Sequence, residues 1–463
     1  MTIRSKQHLA IGVALLVSQS AWAGLGSFGQ TQLQQDTGDA VQKTCAGFVQ
    51  SGTQPGTVPL FDTCRAMVHT GNDLSGSGPS RDSLGLNADE LAASLQQIAT
   101  EEFAATESMA NEISSNRLNA VLGRLVGLRN GARGFSISGL TPENTSALAA
   151  ADQRFESTAG RRGGGAGDDA FGSPLSGFAN LSYGTGIRDG TDRTDSFDFS
   201  SYNITVGLDY RFLEHLTLGA AVNYFNIDSE FDNKPTVAGG DLDSDGWGGA
   251  LYGTYYQDNF YIDGLVGYAA SAYDVRRNIV IPSHTSVSPI NETAKASPDS
   301  KDYSLSIGGG YSFNQGGLTY GPYARATYMK VAIDDYQEQG AEVSGLNLNV
   351  AGQDWKSFTT VLGAQFSYAL SRKFGVLLPQ GRLGWVHQFE NDAQNMTATY
   401  VTDPNNVVLS AFTDDPDRDY FELGIGVSAV FQGGMQLFAN YDTILGFKNL
   451  TDHLFTIGAR LEF

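Results

Sequence analysis

The chain closes on FTIGARLEF, residues 455–463, where Phe455, Ile457, Ala459, Leu461 and Phe463 alternate with Thr456, Gly458, Arg460 and Glu462. A period of two sends the two sets to opposite faces of a strand. One face is wholly apolar and the other is small, polar or charged, so this strand divides an apolar environment from a wet one. An aromatic last residue on such a strand marks the end of a bacterial outer-membrane β-barrel, and the rest of the sequence has to agree with that reading.

It agrees back to about residue 172. Twelve candidate strands follow, most of them with the same alternation, near 173–186, 197–211, 215–230, 244–257, 259–276, 302–314, 317–333, 355–370, 373–389, 419–431, 434–445 and 452–463. In the second, Tyr202, Ile204, Val206, Leu208 and Tyr210 oppose Asn203, Thr205, Gly207, Asp209 and Arg211. The links alternate in length. FLEH, QDN, NQGG and FQGG are tight, whereas 277–301, 334–354 and 390–418 are long, polar and acidic. Short periplasmic turns, long outer loops and an even strand count describe an outer-membrane barrel. A soluble sandwich has no reason for that rhythm, nor for presenting aromatic faces to water. The expected fold is an all-β transmembrane barrel of about 12 antiparallel strands with an N-terminal α-helical segment.

The N-terminus supplies the matching export signal. MTIRSKQHLAIGVALLVSQSAWA carries Arg4 and Lys6, an apolar run from Leu9 to Val17, and small residues at Ala21 and Ala23. That is the pattern of a secretory signal peptide over residues 1–23, with the exported chain expected to begin at Gly24 and to hold no helical span. Without Arg4 and Lys6, 27 basic residues face 50 acidic ones, a net charge of −23. Such a chain is a poor partner for nucleic acid. Its 56 Gly, 20 Tyr and 26 Phe suit many strands with aromatic girdles. The two cysteines, Cys45 and Cys64, both precede the barrel and are expected to pair in an oxidising compartment, closing a loop worth roughly 3 kcal/mol.

Residues 24–140 read as helical. Two short helices are expected over 36–69, around the cysteines. Asn87 and Glu90 have capping-box spacing. Leu91, Leu95 and Ile98, then Leu118, Leu122 and Leu125, are spaced for one apolar face, a stripe expected to pack on neighbouring helices. Arg124 and Arg129 suit a helix C-terminus before Gly131. A continuous helix of about 40 residues would be about 60 Å long, too long to lie wholly within a pore. Residues 141–171 hold a shorter helix candidate, PENTSALAAADQRF, and the Gly-rich linker RRGGGAGDD, leading to the barrel at 172–463.

In order and over its whole length, the C-terminal region resembles the autotransporter β-domain, the translocator of type V secretion. The matching pieces are VGLDYRF, LTLGAAVNY, NFYIDGLVGYAASAYDVRR, YSLSIGGGYSF, GPYARATYMKVAIDDYQEQGA, VLGAQFSY, LLPQGRLGWVHQF and HLFTIGARLEF. The resemblance implies an outer-membrane location and passage of an upstream segment through the barrel, leaving a helix in the lumen. It implies assembly partners too: outer-membrane lipid, periplasmic chaperones, and a barrel assembly machinery reading Phe455, Ile457, Leu461 and Phe463. On this mapping strand parity turns Asp209, Arg211, Asp263, Arg325, Arg382, Glu422, Asp442 and Arg460 inward, because a charge on the lipid face costs up to about 2–4 kcal/mol at mid-depth. The departure from the family pattern is the short passenger, about 24–171, without β-helical repeats.

No enzyme is expected, and no cofactor or metal. Arg81-Asp82-Ser83-Leu84 lacks the Gly of a Gly-Asp-Ser-Leu esterase block, and His69 is the only passenger histidine. Asp241, Asp243, Asp245 and Gly246 copy half of a calcium loop, but position twelve is Tyr252 instead of Glu. The leading expectation is a translocator that exports or displays its own short helical domain at the cell surface. The alternatives are a plugged outer-membrane pore for small solutes and a surface binding module or adhesin carried by the barrel.

Overall fold

The computed structural model describes residues 24–99, 101–129, 174–232, 239–390, 392–431 and 435–462. The expected signal peptide, the helix candidate at 142–155, the Gly-rich linker and Phe463 lie outside them. Twelve strands form the barrel: β1 Leu175–Arg188, β2 Phe197–Leu213, β3 Leu216–Phe231, β4 Asp241–Gln257, β5 Phe260–Ile281, β6 Asp299–Tyr311, β7 Leu318–Ile333, β8 Gln353–Tyr368, β9 Gly375–Gln388, β10 Asp419–Phe431, β11 Gln436–Leu445 and β12 Leu450–Glu462. Each pairs antiparallel with the next, and β12 pairs with β1 from Arg188↔Leu450 to Ser176↔Glu462. The barrel is therefore closed, with no free edge.

The sequence period sets which side chains meet lipid. Leu208, Val222, Leu251, Val266, Ile307, Leu362, Ile425 and Ile457 are all more than half exposed on the outer face. Aromatic pairs bound this band. Tyr183–Tyr202, Tyr224–Trp247, Tyr268–Tyr303 and Tyr441–Phe455 lie toward the long-loop end, and Tyr210–Phe212 and Phe313–Tyr320 lie at the short-turn end, with ring centroids 5.0–5.5 Å apart. No helix among the described residues is long and apolar enough to cross a membrane. The strands cross it. Val206 sits midway between Tyr202 and Tyr210, so Val206→Lys is expected to cost about 2–4 kcal/mol, read as a lowered urea midpoint in lipid vesicles. Val343→Lys on an exposed loop should leave that midpoint unchanged.

Ahead of the barrel stand α1 Gln32–Gln50, α2 Pro59–Leu74, α3 Ala88–Gln97 and α4 Glu101–Arg129. Thr31 with Gln34, and Asn87 with Glu90, form capping boxes on α1 and α3. The Asn87 backbone N–H, and then His284, hold the Glu90 carboxyl below its usual range. Cys45 and Cys64 are joined, Cα–Cα 5.6 Å, tying α1 to α2. The single long helix is corrected: the chain turns at Ile98 and Ala99. The turn has a packing reason. Leu91, Leu95 and Ile98 belong to a core above the barrel, whereas Leu118, Leu122 and Leu125 pack on the barrel wall. The two halves of the stripe serve different partners, and neither is free for a third.

The long loops also differ from the polar loops expected. β5 runs on to Ile281 and pairs with a returning strand, Ile290–Ala296. Tyr336–Gln337, Leu348–Val350, Asn395–Tyr400 and Val408–Phe412 form a second, four-stranded sheet. Their inward residues Ile279, Ile281, Leu348, Val350, Tyr400 and Leu409 share one core with Leu33, Phe48, Leu60, Met67 and Leu95 of the helices. Helices and loops thus make one head at the long-loop end.

Candidate functional site: the plugged lumen

From the head, α4 descends through the barrel. Met109 still belongs to the head core, and the Gly127 carbonyl meets Arg460 Nη1 at 3.5 Å near the short-turn end. Those eighteen steps rise about 27 Å, close to the ~30 Å hydrocarbon thickness. The helix lies against the β1–β6 side. On that wall Phe178, Ala221, Tyr252 and Leu265 receive Leu118, Val121, Leu122, Leu125 and Leu128. Glycines let it close in. A Cβ on Gly248 would lie 2.9 Å from Arg117 Nε, and one on Gly184 2.9 Å from Glu112 Oε1.

Two arginines one heptad apart fix its height. Arg124 Nε and Nη2 reach Asp209 Oδ2 and Oδ1 at 2.6 and 2.7 Å. Ser176 Oγ and Tyr252 Oη complete the carboxylate's partners at 2.5 and 3.1 Å. The Arg124 guanidinium also stacks 5.3 Å from the Phe178 ring centroid. Two turns higher, Arg117 meets Asp302 at 3.0 Å and Phe225 at 5.6 Å, and Ser114 Oγ also bonds Asp302. Both guanidinium groups are backed by an aromatic ring, and the bidentate Arg124–Asp209 contact suits Arg and would not survive Lys. Sequence reading gave Arg124 to the helix dipole and passed over Arg117. The signal was present in their spacing of seven beside Leu118 and Leu125.

The other inward charges face the lumen or its mouth. Arg325 meets Asp263 at 3.8 Å, Arg382 meets Asp442 at 3.0 Å, and Tyr323 Oη donates to Glu422 at 2.8 Å. Arg460 also donates to Gln436 at 3.2 Å. Arg211, of the same parity, sits at the short-turn mouth. Between this far wall and α4 a cavity of about 250 Å³ remains, with Asn119, Arg325, Arg382 and Glu422 on its sides. Phe455, Ile457 and Leu461 point outward, each close to half exposed.

The remaining sequence candidates fall elsewhere. Ser83 is buried, with its hydroxyl on Thr70 at 3.3 Å, and Asp82 pairs with Arg65. Asp241, Asp243 and Asp245 lie on strand β4. No cluster of His, Cys, Asp or Glu among the described residues is placed to hold a metal.

A twelve-stranded barrel threaded by the helix that precedes it has a counterpart among families. The autotransporter beta-domain model matches residues 177–442, more than half of the chain. The chain belongs to the autotransporter β-domain family. Similar solved structures include the translocator domain of the autotransporter NalP from Neisseria meningitidis, 16% identical over 70% of this chain and 100% of that one, TM-score 0.49. The β-domain of the Bordetella autotransporter BrkA is 17% identical, over 63% of this chain and 100% of its own, TM-score 0.43. The transport unit of AIDA-I from Escherichia coli is 14% identical, over 70% and 99%, TM-score 0.40. No curated protein matches the chain. As an autotransporter translocator, the barrel resides in the outer membrane and carries a passenger across it.

Proposed function

We propose that this autotransporter keeps its passenger: residues 24–129 cross the barrel, fold against the long loops, and stay there as a surface head anchored by α4. The carrying observation is the core shared by helices and loops. Arg277 on β5 is fully buried; it binds Glu338 at 3.1 and 2.6 Å and donates to the carbonyls of Gln97 and Leu346. His284 N donates to the Leu84 carbonyl at 2.8 Å, and Thr63 Oγ1 to the Ser344 carbonyl at 2.9 Å. Ser83, already bonded to Thr70, supports a display role without catalysis. Phe455, Ile457, Leu461 and Phe463 act as the signal read by the barrel assembly machinery after chaperone escort.

Protease shaving of intact cells tests this, with an epitope inserted at Gly78 in the turn after α2. The tag should be reached by antibody on whole cells and stay with the barrel after washing. A tag released into the medium, or reached only after the outer membrane is opened, would refute retention outside. The cavity beside α4 favours a second reading, a restricted pore for small solutes. Large steady conductance of the full-length protein in planar bilayers would put that reading first.

A further inference from the structure

The outer girdle is not electrically uniform. On three adjacent strands the first outward side chain beyond the girdle aromatic is a lysine: Lys301 after Tyr303 on β6, Lys330 after Tyr328 on β7, and Lys356 after Phe358 on β8. The register places Tyr303 beside Lys330 and Lys330 directly opposite Lys356. Beneath them Leu305, Ile307 and Leu362 face lipid. The sequence contains nine lysines, so a third of them stand in this one row. On β3–β5 the corresponding zone is acidic, with Asp228, Asp243 and Asp274 in register. Like charges directly opposite across strands repel. Asp354 meets Lys330 at 3.1 Å, and Asp334 meets Lys301 at 3.8 Å from farther out. Lys356 has no carboxylate within ion-pair distance among the described residues.

We propose that Lys301, Lys330 and Lys356 form a binding site for the phosphate of an outer-leaflet lipid headgroup. Their height selects this ligand. Alkyl stems lie over the apolar band while the ammonium groups stand at the headgroup boundary, where basic clusters attract anionic lipid. A phosphate between Lys330 and Lys356 converts a repulsive pair into a bridged one, and the lipid's chains continue onto the apolar surface below.

The test titrates full-length protein in detergent with diphosphoryl lipid A, read by native mass spectrometry. The triple variant K301Q/K330Q/K356Q should bind at least ~10-fold more weakly, whereas D228N/D243N/D274N should bind no more weakly than the parent. Equal affinity of the lysine variant, or equal binding of lipid A stripped of both phosphates, overturns the proposal. Saturation by inorganic phosphate alone overturns the lipid assignment. Heat-modifiable gel mobility reports folding. If the triple variant misassembles, K356Q alone should bind roughly threefold more weakly, and unchanged affinity there is equally decisive.

Discussion

Arg124→Ala should unseat the lower half of α4 and make the barrel conduct more than the parent does. Arg124 and Asp209 are both almost wholly buried. Without the guanidinium, the Asp209 carboxylate keeps only the Ser176 and Tyr252 hydroxyls. Stranding one partner of a buried pair costs about 3–5 kcal/mol, far more than an exposed helix position would. The barrel wall is held by its own ladder, so the loss falls on the helix seat. Expected results are an earlier urea transition of the plug and larger, more frequent single-channel openings. Arg124→Met with Asp209→Leu removes both charges and keeps apolar volume, and such replacements of buried pairs are often neutral or stabilising. That double variant should therefore stay nearly as closed as the parent. If Arg124→Ala conducts no more than the parent, the pair does not hold the plug.

The barrel was legible because every strand divides two environments, and one missed position in Tyr202 to Arg211 would have put Asp209 into lipid. Tight links such as QDN were legible for the same reason, since they can only join neighbours. The head was not. Ile279, Ile281, Leu348 and Tyr400 are buried by helices roughly 180 to 370 residues earlier in the chain, so no local period marks them and their segments read as polar loops. The Asn87 cap was readable, but the turn at Ile98 was not: no Gly or Pro stands there, and the chain bends because its two apolar stretches have different partners. Arg124 was misplaced because a cation near a helix end has an ordinary electrostatic explanation. Its partner Asp209 lies 85 residues away.

Arg277→Ala is expected to detach the passenger from its translocator while leaving the barrel intact. The side chain joins three segments at once. Its guanidinium chelates Glu338, whose Oε2 also accepts from the Leu348 backbone N–H at 2.9 Å. The same guanidinium reaches the Leu346 and Gln97 carbonyls, and the Gln97 side chain accepts from the Val280 N–H at 2.8 Å. Loss of Arg277 leaves Glu338 charged within an apolar core, at a cost of about 3–5 kcal/mol. That is a large share of the ~5–15 kcal/mol available to a whole domain. Limited proteolysis of cells should then cut within residues 24–99 at protease levels that spare the parent. Heat-modifiable barrel mobility should not change, because Arg277 lies on the β5 extension beyond the membrane band. Arg277→Met with Glu338→Leu should restore much of the resistance, since the site then holds apolar groups and no orphaned charge. Full resistance in Arg277→Ala would mean that helices and loops fold independently and that the passenger is merely tethered by α4.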